Sequence, residues 1–337
     1  MDSVTQAALG ASIAHLFWHK NFGKKAFAFG AVIGTIPDLD IIIYPFLNGV
    51  QRLYWHRGES HSIFFVFLAS FFLYKLFLKK ARKCNLSDFK FFTGLFLIFA
   101  THVAIDIFTV YGTQILSPFN RYGFAIGNLY IIDPMYTIPL LAGIFAGIAF
   151  NAKKGFKANC AGIFISSVYV LFSLSALRYA DLTFKKNLES KNIKVLNSIT
   201  SATPMNTILW RHIARTDKGL FIGYFSILGN NPKNKIRFDF IPRNEELIKS
   251  IENQNNIKAI NWFSKGFWTA EIKNGTLTMS DLRFGEFRPY DKAPSNEWEY
   301  IFTWEITKNP NELKTVTKKN INYKKAVSDL FSKIKDL

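Results

Sequence analysis

A chain of 337 residues with 49% hydrophobic residues and a net charge of +18 has room for one large or two modest domains. Its two cysteines, Cys84 and Cys160, argue against a disulfide framework and against a thiolate metal site. The charge is shared evenly, with 16 Lys and Arg against 7 acids before residue 181 and 26 against 17 after it. No basic helix or recognition motif accompanies it, so no nucleic-acid partner is expected.

The opening "MDSVTQAALG" starts with an acid and lacks the basic region of a cleaved signal peptide, so it is expected to remain in the mature protein. Six segments, about 3–19, 26–47, 60–78, 91–111, 129–150 and 159–178, read as membrane-embedded, each near the ~20 residues that cross a bilayer core. The first is rich in small residues (Ala7, Ala8, Gly10, Ala11, Ala14), which suit close helix packing. His15 and His19, toward its far end, read as packing or interfacial residues.

The connecting loops alternate in charge. Lys20, Lys24 and Lys25, then Lys79, Lys80, Arg82, Lys83 and Lys90, then Lys153, Lys154 and Lys157 put 11 cations on one side. The opposite loops hold only Arg52, Arg57 and Arg121. Positive charge stays in the cytoplasm. The N-terminus and everything after residue 178 are then expected outside, which makes 181–337 an extracytoplasmic domain.

That second half reads as a soluble α+β domain. The stretches 220–228, 235–241, 267–273 and 276–284 have strand character, and Asn274-Gly275 marks a hairpin turn between the last two. Residues 244–253 and the tail 324–337 read as helical. The expected fold is an α-helical polytopic membrane bundle of about six helices (1–180) followed by this domain.

Six of the seven acids of the first half, Asp2, Asp38, Asp40, Glu59, Asp106 and Asp133, lie toward the outer ends of their segments, as do His56, His61 and His102. Ionisable groups inside a membrane are costly and by default mark function. His102 and Asp106 are four residues apart, hence on one helix face. They can share a metal, the acid can orient the imidazole, or the two can form a plain packed hydrogen bond. Asp38 and Asp40 follow Pro37, which breaks a helix; Asp38 is the better ligand and Asp40 a ligand or orienter. In "WHRGESHS", a turn at Gly58 brings His56 and His61 toward a common point, with Glu59 between them and Arg57 suited to an oxyanion. Asp133 is equally a helix cap. Imidazoles and carboxylates without thiolates suit Zn²⁺, Mn²⁺ or Fe²⁺, and no nucleophilic Ser or Cys motif competes, so hydrolysis by metal-activated water is the economical chemistry.

In order, "MDSVTQAALG", "IPDLD", "HRGESHS", "THVAID" with "YGTQ", and "IDP" resemble the YdjM-like family of membrane-bound, metal-dependent hydrolases over about residues 1–150. The family is in turn distantly similar to zinc-dependent phospholipases C. The resemblance implies a metal-dependent phosphoesterase of the inner membrane. It also implies metal-site residues among Asp38, Asp40, His56, His61, His102 and Asp106. Many members have His where this chain has Gln6, which leaves open the number of metals and a part for Asp2.

The combined expectation is a multi-pass hydrolase of the cytoplasmic membrane acting on a lipid or lipid-linked, phosphate, ester. Asp38, His56, His61, His102 and Asp106 hold the metal, zinc first. Asp40 or Glu59 serves as general base and Arg57 clamps the anion. The alternative is a transporter or metal-binding scaffold whose C-terminal domain binds a protein partner.

Overall fold

The structure is a computed structural model describing residues 1–229, 235–288, 297–316 and 332–334. The chain divides into two compact units. The first comprises Met1–Ile42, Trp55–Leu174 and Pro204–Asn206, and the second Ile43–Tyr54, Ser175–Thr203 and Thr207–Leu337. The division falls inside a helix, and a short stretch of the early chain belongs to the second unit.

The first unit is helical. Helix α1 (Ser3–Phe22) is followed by α2 (Lys25–Gly34), which continues as a 3-10 helix over Ile36–Phe46. After α3 (Gly49–Trp55), which lies in the stretch belonging to the second unit but for its last residue, and a 3-10 turn at Glu59–His61 come α4 (Ile63–Lys83), α5 (Asp88–Ile107), α6 (Pro134–Ala149) and the start of α7 (Ala152–Ser190). Helix α1 lies at the centre. Its Leu9, Ile13 and Trp18 pack with Leu95 and Ile98 of α5 and Leu140 of α6. Its small residues let α2 come into backbone contact: a Cβ on Gly30 would lie 2.2 Å from the Gly10 carbonyl oxygen. Helix α4 instead leaves Phe64, Phe67, Leu68, Phe71 and Phe72 exposed, the surface of a helix that faces lipid.

Six spans were expected, and the structure corrects that number. Among the described residues three helices are long and apolar enough to cross a membrane, Lys25–Phe46, Asp88–Ile107 and Ala152–Ser190, with a fourth if the broken pair Gly49–His61 and Ile63–Lys83 counts as one. Helix α6 has 16 residues, or about 24 Å, short of a ~30 Å hydrocarbon core. Helix α1 is long enough, but it buries Thr5, Gln6, Ser12 and His15 among its neighbours and is not apolar enough to qualify.

The second unit holds two four-stranded antiparallel sheets, each a simple meander. One is β1 (Asn197–Ala202), β2 (Leu209–Arg215), β3 (Gly219–Ser226) and β4 (Phe238–Pro242). The other is β5 (Trp268–Lys273), β6 (Thr276–Phe287), β7 (Glu299–Ile306) and β8 (Leu313–Thr315). Ile213, Leu220, Ile222 and Ile241 of the first meet Phe267, Leu282, Trp298 and Tyr300 of the second in one core. All four strand expectations fall on strands. Asn274 and Gly275 make the β5–β6 turn with φ of 51° and 76°, as a primed turn requires.

The helix expected over 244–253 is absent; that stretch holds only single 3-10 turns at Glu245–Leu247 and Lys249–Ile251. The Arg243 carbonyl and the Asn244 side chain bond the Ala270 backbone (3.0 and 2.7 Å), so this chain follows β5 into its turns. The helix comes later, as α8 (Asn255–Ser264). The helix expected over 324–337 lies outside the described residues except for one helical turn at 332–334.

Candidate metal centre

The site begins where α2 tightens. The N–H of Asp38 donates to the Thr35 carbonyl (3.2 Å) rather than to Gly34, four residues back, so the switch to 3-10 geometry releases the Gly34 carbonyl. His102 of α5 takes it: Nδ1 donates to Gly34 O at 2.7 Å. A carbonyl only accepts, so the proton is on Nδ1 and Nε2 presents its lone pair.

That Nε2 lies 3.2 Å from Nε2 of His61, which sits fully buried at the end of the 3-10 turn just before α4. Ser62 caps α4 by accepting from the Phe65 N–H, and the Ser60 hydroxyl meets His61 Nδ1 at 2.9 Å, which fixes the ring. Asp38 Oδ1 is 3.5 Å from both Nε2 atoms, and Asp106 Oδ2 is 3.2 Å from His61 and 3.9 Å from His102. One ligand atom from each of Asp38, His61, His102 and Asp106 lies within 4.8 Å of every other.

The two oxygens of Asp106 are used differently. Oδ1 accepts from Gln6 Nε2 (3.0 Å) and Arg57 Nη2 (3.2 Å) and pairs with the Met1 amine. Oδ2 is buried without a hydrogen bond and turned to the imidazoles. Saturating one oxygen leaves the other as a single, oriented ligand.

These residues fit a divalent metal. In a tetrahedral site with ligands at about 2.0–2.2 Å, neighbouring ligand atoms stand about 3.3–3.5 Å apart. Of the distances above, four are 3.2 or 3.5 Å and one is 3.9 Å. Asp106 Oδ2, the oxygen turned to the imidazoles, is buried without a hydrogen bond. A shared proton would satisfy the two rings alone; one cation satisfies all four groups.

The other expected site residues lie around this cluster rather than in it. Asp40 Oδ2 accepts from the Arg57 N–H (2.9 Å) and pairs with His56 Nδ1 (3.1 Å), which makes an Asp–His dyad beside the cluster. The Arg57 side chain is 3% exposed. It reaches Asp106 and the Thr109 hydroxyl (3.0 Å), with its guanidinium 5.0 Å over the Tyr111 ring. Glu59 pairs with Arg121. Asp2 caps α1 and meets the Thr5 hydroxyl (2.5 Å), and Asp133 caps α6 and accepts from the Tyr169 hydroxyl (3.0 Å). His15 and His19 stack on Phe27 and Phe156 at 3.9 and 4.0 Å. The sequence marked Gln6 only as the position where many relatives carry His, without giving it a part in holding Asp106, and it did not point to the Gly34 carbonyl. The signal for the first was a lone amide in an apolar helix one turn after Asp2; the second had none.

Comparison with known proteins decides the family. The family model described as "YdjM inner membrane protein" matches residues 1–180. The chain belongs to the YdjM inner membrane protein family. All four clustered residues fall inside the match. The chain is also similar to the uncharacterized protein YfhP of Bacillus subtilis (strain 168), 28% identical over 234 residues, covering 66% of this chain and 68% of that protein. That span is longer than residues 1–180 can supply, so the likeness reaches into the second unit. No solved structure matches.

Proposed function

We propose that this YdjM-family protein is a metal-dependent hydrolase of the inner membrane acting on a lipid or lipid-linked phosphate ester. The observation that carries the reading is the convergence of Asp38, His61, His102 and Asp106 from separate elements in a buried, thiolate-free site. Zinc is the first expectation for that donor set, with manganese and iron as alternatives. A metal held there lowers the pKa of a water and polarises a phosphoryl oxygen.

The chain's own residues take the remaining tasks. Asp40 binds Nδ1 of His56 and so directs the other ring nitrogen away from itself, at a side chain 24% exposed. This dyad is the proposed proton carrier, with Asp40 as its base and orienter. Arg57, buried and bonded to Asp106, serves to hold that ligand. Glu59, paired with the partly exposed Arg121, stands at the more open side, where an anionic substrate would meet the guanidinium of Arg121. Placing the cations of residues 79–90 and of 153–157 both on the cytoplasmic side makes the second unit extracytoplasmic, which requires the short α6 to cross as well as the broken pair.

The test is elemental analysis and phosphodiester hydrolysis by detergent-purified protein. Wild type is expected to hold metal and cleave a generic phosphodiester, and His61→Ala and Asp106→Ala to do neither. Bound metal without hydrolysis of any ester would favour the scaffold alternative instead. Reporter fusions at residues 85 and 180 test the orientation; residue 180 on the cytoplasmic side would overturn it.

A further inference from the structure

The second unit carries buried charge that is almost wholly paired. Glu286 is held by Arg211 (2.7 Å) and Arg288 (2.9 Å), Asp281 by Arg283 (2.6 Å), and Asp239 by Arg288 (2.8 Å) and Arg237 (3.2 Å). Arg215 and Arg243 depart from this pattern.

Arg215 ends β2 and is half-buried. Its Nε is buried with no hydrogen-bond partner, and no ion pair reaches it among the described residues. Its guanidinium lies against Gly266, where a Cβ would sit 2.4 Å from Nη1 and 3.9 Å from Asn261 Oδ1. Gly266, at φ 79°, is therefore both a backbone necessity and the gap that admits Arg215. Arg243 follows β4 and sits over the Trp268 ring, its Cζ 4.0 Å from the ring centre. Trp268 is itself fixed by its Nε1–H, which donates to Asn261 Oδ1 at 2.9 Å. The Arg243 Nε is likewise buried and unpartnered, and its one carboxylate is the exposed Glu245.

The two cations meet around Trp268 and Asn261. Burial lowers the Arg243 pKa, and the nearby Arg215 charge adds to that effect against the pull of Glu245. The Arg243 main chain is pinned to β5 by the Ala270 N–H (3.0 Å), and Thr269 bonds the adjoining Pro242 carbonyl (2.7 Å). The site is thus rigid before any ligand arrives.

We propose that Arg215 and Arg243 form a binding site for a phosphate group in the second unit. Two planar guanidinium forks, each with an unpartnered Nε–H, match an oxyanion that offers several acceptors. The Glu245 side of the pair is open to solvent at 64% exposure, where water and salt weaken the attraction, so a dianion displaces Glu245 readily. Among the described residues Glu245 is the carboxylate paired with Arg243, and Glu286, Asp281 and Asp239 are held by other arginines. The proposal does not depend on the hydrolase reading. A free phosphate and a lipid headgroup phosphate offer the same chemistry.

Calorimetry on the full-length protein in detergent tests it, titrating inorganic phosphate and, separately, dihexanoyl phosphatidic acid. Saturable binding is expected in wild type and equally in His61→Ala, which removes the metal centre as the cause. Arg215→Gln and Arg243→Gln should each weaken it about tenfold or more, and Arg237→Gln should leave it unchanged. Binding of both probes identifies free phosphate as a sufficient ligand, and binding of the phosphatidic acid alone identifies a headgroup; either supports the site. If a glutamine variant melts early, Arg215→Lys and Arg243→Lys keep the charge without the fork and should bind a few-fold more weakly. No saturable binding of either probe at millimolar concentration, equal affinity in the arginine variants, or loss of binding in His61→Ala would each overturn the proposal.

Discussion

The Nδ1 atom of His102 is 2.7 Å from the carbonyl oxygen of Gly34, a bond between two helices that sets which imidazole nitrogen faces His61. It exists because Asp38 donates one residue short of the α-helical register. A break in one helix thereby orients a ligand on another, and the same break carries Asp38 itself to the cluster.

Removing a ligand should empty the site. His102→Ala is expected to lower bound metal to a small fraction of wild type, read by elemental analysis after dialysis. A chelator should lower the wild-type melting temperature and leave His102→Ala unmoved, because only a folded-state ligand contributes linkage stability.

Gln6→Ala removes the amide that holds Asp106 Oδ1 while leaving all four ligand groups in place. A supporting partner of this kind is worth about 10–100-fold in metal affinity. Competition with a chromophoric chelator measures it, and Gln6→Glu should be worse still, since it sets a carboxylate against Asp106. Unchanged affinity in both would show that Arg57 and the Met1 amine suffice.

The contact between α1 and α2 admits no side chain. In Gly30→Ala the new Cβ would meet Gly10 O and the Ala14 Cβ at 2.2 and 2.4 Å, so the helices must part. A loss of about 1–3 kcal/mol is expected. Because Gly34 belongs to the same helix, metal content should fall together with the melting temperature. Stability lost with metal retained would separate the contact from the site.

In the second unit, burial lowers the His212 imidazole from 6.5 to about 4, with Asp181 opposing. The neutral ring is the one that folds. Above pH 6.5 it is neutral in both states and the contribution is complete; as pH falls toward 4 the unfolded chain gains a proton first, and stability is lost, on the order of 3 kcal/mol. Glu286, lowered to about 2 by Arg211 and Arg288 against its own burial, adds losses only below about 4.5. Denaturation followed by Trp210 fluorescence should therefore show a decline between pH 6.5 and 4.5 that His212→Asn flattens.

Much of the site was legible because membranes make polar residues conspicuous. In an apolar segment, the i, i+4 spacing of His102 and Asp106 and the Pro37-Asp38 break each carry a free-energy cost that implies a partner. What spacing could not show was which imidazole of "HRGESHS" turns inward. His61 does, fixed by Ser60, whereas His56 pairs with Asp40 instead. The buried position of Arg57 was equally hidden, since a guanidinium beside a loop reads as available until its neighbours are known. The helix over 244–253 failed for a related reason: bonds to Ala270, 26 residues from Asn244, outrank local propensity there.

The amino-acid sequence by itself determined that this protein has an apolar helical half and a strand-rich half, because periodicity and length act within a single segment. Only the tertiary structure decided that three helices, or four with the broken pair, are fit to span, and that Asp38, His61, His102 and Asp106 meet. Those outcomes depend on which groups satisfy one another across distant elements, 68 residues apart for Gly34 and His102 and 100 for Gln6 and Asp106, and no local pattern encodes that pairing.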